Sequence, residues 1–220
     1  KKLENKITLF HADVVNKIIN DSKIEIDLIG FHGQTIYHNV KEKISKQLGD
    51  GKLLAKLSKK RVICDFRKND LENGGAGAPL TPIFHKLIVK QNKIEKPVTI
   101  LNLGGIANIT YLTEDSMNST DIGPGNCLID SWIKKQSNKK YDNNGSIASK
   151  GKINNLLLNE AINLWNKKFK HTSITSFDTK DFNFPDIKKV SLEDGAATLT
   201  EYTSRIISDY FNKAKYSFKN

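Results

Sequence analysis

Apolar positions recur at helical spacing early in the chain, where Val14, Val15, Ile18 and Ile19 would share one face of a helix over 13–19. A short apolar run over 24–31 ends in His-Gly and reads as a buried strand opening into a loop. Asp50-Gly51 precedes Leu53, Leu54 and Leu57, which predicts a short helix. The run over 61–66 (RVICDF) predicts a second buried strand, followed by a polar, glycine-rich loop over 67–82 in which Pro79 and Pro82 disfavour helix. Helix is expected again over 84–89. The β-branched stretch 98–103, the turn signal Gly104-Gly105 and the stretch 107–112 predict a hairpin. Leu128, Ile129, Trp132 and Ile133 form the inner face of a helix over 126–133, and another helix follows over 153–165. Ser191 with Asp194 resembles a capping box, from which Leu192, Ala196, Leu199, Ile206 and Tyr210 run as a helical stripe. Strands mixed with helices give an α/β reading. The polar segment NKIEKP (92–97) closes on a proline and supplies the expected boundary between domains over 1–96 and 97–220.

Composition narrows the function classes. No run of about 18 apolar residues occurs, so no membrane span is expected, and the first residues lack the pattern of a secretory signal. A cytoplasmic protein is the default expectation. The net charge of +11 invites a nucleic-acid reading, but the lysines are scattered and only Arg61, Arg67 and Arg205 carry guanidinium groups. That distribution argues against nucleic acid as a partner. Cys64 and Cys127 match no metal or redox spacing and read as small buried hydrophobes. Lys1 stands where a methionine would begin a gene product, and Met117 is the only methionine, so a piece of a longer protein is expected.

Four segments carry candidate chemistry. In LNLGGIANIT (101–110), a Gly-Gly turn leaves backbone N–H groups of Gly104 and Gly105 open to an anion, with Asn108 as a side-chain donor. The alternative is a plain tight hairpin. In DIGPGN (121–126), Gly123, Pro124 and Gly125 predict a sharp turn before a helix N-terminus of partial positive charge, which makes Gly123 and Gly125 candidate phosphate-binding residues, with Asp121 held near them. A carboxylate so placed can take a proton from water or a sugar hydroxyl, though a turn-capping role is the alternative. FHGQT (31–35) offers His32, Gln34 and Thr35 as a polar set suited to orienting a sugar. DFRKND with GGAGAPL (65–80) couples Asp65, Arg67 and Asp70 to a glycine loop, with Arg67 able to grip an anion or simply to pair with Asp65 or Asp70. No P-loop, Ser-His-Asp elbow or HExxH occurs, and no metal ligand is singled out.

Taken in order, HGQT, QLGDG, DFRKNDLENGGAGAPLTPIFH, LNLGGIANIT and DIGPGN resemble the anhydro-N-acetylmuramic acid kinase family. The similarity spans about 11–205 and is poorest over 150–170. It implies a two-domain actin-like or hexokinase-like ATPase fold of α/β halves, with ATP and an amino sugar meeting in the cleft between them. It implies hydrolytic opening of 1,6-anhydro-N-acetylmuramic acid with phosphorylation of O6, in cell-wall recycling. Asp121 matches the family's water-activating carboxylate. Thr35 and Arg67 match sugar-contacting positions, and Gly104, Gly105 and Asn108 match the second phosphate hairpin. Mg²⁺ is implied with the ATP, and a homodimer is a family-level expectation.

The resemblance also sets expectations about what this stretch lacks. The family's glycine- and serine-rich first hairpin would precede Lys1, and its glycine-rich closing stretch would follow Asn220, so residues 1–220 alone are expected to be inactive. Two competing readings are an ATP-independent anhydro-sugar hydrolase on the same scaffold and a non-catalytic binding protein.

Overall fold

The computed structural model describes residues 1–169, 177, 179–182, 184–185 and 190–213. They divide into two compact units, Lys1–Thr81 and Pro82–Asn220. That division falls earlier in the chain than the boundary expected at 96–97.

The first unit begins with α1 (Lys2–Asp21), longer than the stripe at 13–19 suggested. Its Thr8 is fully buried: the hydroxyl donates to the Glu4 carbonyl and accepts from the Asp50 N–H at 2.9 Å. Asp50 in turn caps α2 (Gly51–Ser58), its carboxylate accepting the Leu53 N–H at 3.0 Å. One hydroxyl therefore fastens α1 to the start of α2. Ala12, Phe31 and Leu54 form the small core, with Ile29 and Val62 against it.

Between these helices lie β1 (Leu28–Gly30), β2 (Gln34–Asn39) and β3 (Ile44–Leu48), and after α2 comes β4 (Arg61–Ile63). Strands β1 and β4 pair in parallel, Ile29 opposite Val62. The strand expected over 24–31 is shorter than predicted because β4 offers only three residues to pair with. The antiparallel β2–β3 hairpin was not anticipated. It turns through Val40–Lys43 with Lys43 at φ 54°, without the Asn-Gly or Asp-Gly that marks such turns in a sequence.

A second correction concerns 67–82. Helix α3 (Phe66–Glu72) occupies its start, because both prolines lie beyond it and Asp65, at φ 56°, reverses the chain into it. The loop proper is 73–80. Helix α4 (Thr81–Gln91) then accepts Pro82 in its first turn, where a missing N–H leaves no helical bond unmade.

In the second unit β5 (Val98–Leu103), β6 (Ile106–Leu112) and β7 (Met117–Pro124) form an antiparallel sheet in the order β5-β6-β7. Helix α4, which belongs to this unit from Pro82 on, is joined by α5 (Cys127–Gln136), α6 (Asn155–Phe169) and α7 (Leu192–Lys213). The predicted inner face of α5 is buried at Ile129, Trp132 and Ile133, packed with Ala196 and Leu199 of α7. Leu158 and Ala161 of α6 meet Tyr202 and Ile206 of α7. Ala107, Ile109 and Ile122 of the sheet pack toward Ile207, Tyr210 and Phe211 of α7. The long last helix is thus the common support of the unit. Its cap is half the predicted box: Ser191 Oγ accepts the Asp194 N–H at 3.0 Å, while the Asp194 carboxylate accepts the Lys152 N–H.

The fold is mixed α/β built on small sheets. Among the described residues no helix is long and apolar enough to cross a membrane. Both cysteines are free, but Cys64 is exposed and Cys127 only partly buried, so neither is the buried hydrophobe expected.

Candidate functional site

In the first unit, β1 and β4 end side by side, and the chain leaving each carries one of the predicted polar residues. His32 follows β1 and Arg67 sits in the first turn of α3. They meet: Arg67 Nε donates to His32 Nε2 at 3.1 Å. An accepting Nε2 fixes the neutral tautomer, so Nδ1 carries the proton and donates to the Gly33 carbonyl at 2.9 Å. Arg67 Nη1 also donates to the Gly77 carbonyl at 3.5 Å. Among the described residues no carboxylate lies within ion-pair reach of Arg67, so neither expected surface pair, with Asp65 or Asp70, forms. Burial holds the Arg67 guanidinium below its usual pKa. A half-buried cation with only neutral partners is poised for an anionic or strongly polar ligand.

Thr35 and Gln34 lie on β2 next to this pair. Thr35 Oγ1 accepts from Gln47 Nε2 at 3.2 Å, and Gln34 Nε2 donates to the Thr35 carbonyl at 3.4 Å. Sequence reasoning missed Gln47, Ser45 and His38, which the unforeseen hairpin brings alongside. Gln47 Nε2 also donates to Ser45 Oγ at 2.7 Å, and His38 Nδ1 lies 3.1 Å from the same hydroxyl. Burial, then the charge of Arg67, pushes the His38 pKa below its ordinary value, against a raising hydrogen bond that the ring donates to the Ala76 backbone. The only signal in the sequence was weak alternation across 34–48.

In the second unit the Gly104-Gly105 turn joins β5 to β6, as the hairpin reading expected. Its carbonyls point at the start of α5: Gly104 O accepts the Asn126 N–H at 2.8 Å, and Gly105 O accepts those of Gly125 (3.0 Å) and Cys127 (3.1 Å). Asn126 Nδ2 adds a bond to the Leu103 carbonyl at 3.2 Å. The turn therefore takes the N–H groups of the N-cap and of the first residue of α5. Gly123 and Pro124 are not a sharp turn but the last residues of β7, opposite Ala107 and Ile106. The reversal begins at Gly125. Gly123 is needed for space, since a Cβ there would lie 2.6 Å from Ile206 Cγ2.

Register places Asn102, Asn108 and Asp121 opposite one another across the three strands, beside an irregularity between Ala107 and Asn108. Asn102 Nδ2 also comes within 3.6 Å of where a Gly104 Cβ would stand. Asn108 is three residues along β6 from the glycine turn, on the order of 10 Å at about 3.4 Å per residue. Asp121 is half-buried and lines a cavity of about 360 Å³ with Trp165, Phe177, Asp209, Tyr210 and Lys213. Its Oδ2 accepts the Phe177 N–H at 2.8 Å. Burial raises the Asp121 pKa, and the Phe177 bond opposes that only in part. A carboxylate raised toward neutrality, facing a cavity, has the character of a general base.

Comparison with known proteins agrees with the motifs. The family profile described as anhydro-N-acetylmuramic acid kinase matches residues 1–220. The chain is 48% identical over its whole length to the anhydro-N-acetylmuramic acid kinase of Pelagibacter ubique (strain HTCC1062), covering 59% of that protein. It is 39% identical to that of Zymomonas mobilis subsp. mobilis (strain ATCC 31821 / ZM4 / CP4) over 93% of its length, covering 56% of the relative. The corresponding protein of Rhodopseudomonas palustris (strain ATCC BAA-98 / CGA009) is 37% identical over 93%, also with 56% of the relative covered. The chain spans less than three fifths of the length of these relatives. On the match along all its residues, the chain belongs to the anhydro-N-acetylmuramic acid kinase family.

Proposed function

We propose that the full-length protein is an ATP-dependent sugar kinase that opens 1,6-anhydro-N-acetylmuramic acid with water and phosphorylates the released O6. The products are N-acetylmuramic acid 6-phosphate and ADP, and the setting is cell-wall recycling in the cytoplasm. The proposed fold is actin-like, of two α/β halves. The observation that carries the reading is Asp121: half-buried, raised in pKa by burial, lining a cavity, and in register with Asn108 on the strand that leaves the Gly-Gly turn.

In this reaction Asp121 takes a proton from the water whose oxygen bonds to the anomeric carbon. The bond from that carbon to O6 breaks, and O6 then attacks the γ-phosphorus as ADP leaves. Burial supports the step, because a carboxylate deprived of water is a stronger base. The Phe177 N–H keeps the acceptor Oδ2 oriented. The Gly104 and Gly105 turn with Asn108 is the proposed nucleotide-phosphate contact. Gly123 and Gly125 serve it indirectly, Gly123 admitting α7 close to β7 and Gly125 fastening the turn. His32, Gln34, Thr35 and Arg67 are the proposed sugar contacts. Mg²⁺ would neutralise phosphate charge and retain several waters; among the described residues no three His, Cys, Asp or Glu side chains converge on a cation.

The test is turnover of the full-length protein with ATP and the anhydro sugar. ADP and sugar 6-phosphate should appear in equal amounts, and Asp121→Asn should lower kcat by at least roughly 10²-fold while the melting temperature stays near wild type. Sugar opening without ATP would replace the kinase with a hydrolase. An active Asp121→Asn enzyme would remove the base.

A further inference from the structure

The loop after α3 is wound around one carboxylate. Asp70 Oδ2 accepts the Gly77 N–H at 2.7 Å, and the Asp70 carbonyl accepts the Gly75 N–H at 2.8 Å. The approach is so close that a Cβ on Gly75 would stand 2.2 Å from Asp70 Oδ2. Gly77, buried and at φ 66°, has no room either, since its Cβ would meet Leu71 Cγ at 2.8 Å. Gly77 is thus gripped at both ends: Asp70 holds its N–H, and its carbonyl takes Arg67 Nη1. On the other side of the guanidinium, His32 takes Nε–H.

We propose that Asp70 is a positioning residue for Arg67, acting through Gly77 to hold the guanidinium plane in one orientation toward substrate. The chain is Asp70 carboxylate, Gly77 peptide, Arg67 Nη1, with His32 as the second support. Asp70 does not touch the ligand. With Nε–H and one Nη1–H fixed by protein acceptors, the outer edge of the fork is presented to the ligand without the rotamer freedom an unsupported arginine must lose on binding. The proposal also explains why Arg67 lacks a carboxylate partner although Asp70 is one helical turn away: that carboxylate is turned into the loop, which leaves the positive charge for the ligand. It rests on the reading of Arg67 as a sugar contact.

The experiment is a double-variant cycle on the full-length protein, with Asp70→Ala, Arg67→Lys and both together, measuring kcat and the KM of sugar and ATP separately. Asp70→Ala should raise the sugar KM roughly tenfold or more with the ATP KM unchanged. In the Arg67→Lys background the same change should have little further effect, because the fork it positions is gone. Multiplying effects, an unchanged sugar KM, or an equal rise in both KM values would overturn the proposal. If Asp70→Ala does not fold, Asp70→Asn, which keeps an acceptor oxygen, carries the same cycle with a smaller expected rise. A readout independent of turnover is the Arg67 Nε–H resonance in ¹⁵N-edited spectra. It should be sharp and exchange-protected in the wild type and averaged in Asp70→Ala. A sharp resonance in both defeats the positioning role, whereas a wild type that turns over no anhydro sugar defeats the functional proposal instead.

Discussion

Gly125→Ala isolates the contact that fixes the glycine turn to α5. The cost is one of space alone, because Gly125 is not among the glycines at positive φ. A Cβ there would stand 2.2 Å from Gly104 O and 3.2 Å from the carbonyl carbons of Gly104 and Ile106. All three neighbours are backbone, so no rotamer change relieves the clash and the turn must back away from α5. Three bonds go with it, from the N–H groups of Gly125, Asn126 and Cys127 to Gly104 O and Gly105 O. At about 1 kcal/mol each the loss is about 3 kcal/mol, which at about 2–4 °C per kcal/mol for this chain length lowers Tm by roughly 6–12 °C. The assay is clean because both tryptophans, Trp132 and Trp165, lie in the second unit, so their fluorescence reports on it alone. Gly145→Ala is the matched control: nothing lies within 4 Å, but φ is 65°, so only backbone strain of about 1 kcal/mol is expected. A Gly125→Ala protein melting within about 2 °C of wild type would refute the reasoning.

Two further outcomes follow from burial. Because the Asp121 pKa is raised in the folded protein, its ionised form opposes folding: the contribution favouring the fold is complete below the unfolded pKa and is lost as pH rises through the folded one. Catalysis needs the ionised form, so kcat/KM should fall on acidification along a limb lying above the usual aspartate value of about 3.9; a limb at or below that value contradicts a desolvated base. Gly195→Ala would set a Cβ 2.3 Å from Trp132 Cε2, against an indole whose Nε1–H donates to the Leu192 carbonyl at 2.9 Å. Urea unfolding should show a loss of about 1–3 kcal/mol, and an unchanged midpoint would mean that α5 and α7 are less tightly packed than the contact implies.

What could be read in the sequence was set by strong local signals. The β5–β6 hairpin was legible from a β-branched run, a Gly-Gly turn and a returning run, and α5 from its inner face. Helix α2 was legible from the leucine spacing after Asp50-Gly51, although the cap that Asp50 makes was not read. The β2–β3 hairpin could not: its turn is closed by Val40–Lys43 with a lysine in the left-handed region, a choice no local propensity favours. With it went His38, Ser45 and Gln47, whose place beside Thr35 exists only once that hairpin forms. α3 was hidden for the opposite reason, since the prolines taken to forbid it lie outside it. The fate of Asp70 was beyond local reading, because which of several nearby groups a carboxylate binds depends on how the Gly75–Gly77 peptides come back to it.

The two glycine segments of the second unit also bear on where a phosphate would sit. A helix N-terminus attracts anions through N–H groups that no residue of the helix can satisfy. At α5 the earliest of them already donate to Gly104 O and Gly105 O. The turn thus takes the N–H groups of the N-cap Asn126 and of Cys127, the first residue of the helix. The proposed nucleotide contact uses the turn's own peptides and Asn108, and Asn102 stands opposite Asn108 on the adjacent strand. DIGPGN then has two separable jobs: its glycines fit β7 against α7 and the turn against α5, while Asp121, beside Ile122, brings a carboxylate to the cavity. Damage to those glycines should appear first in stability, and damage to Asp121 in rate.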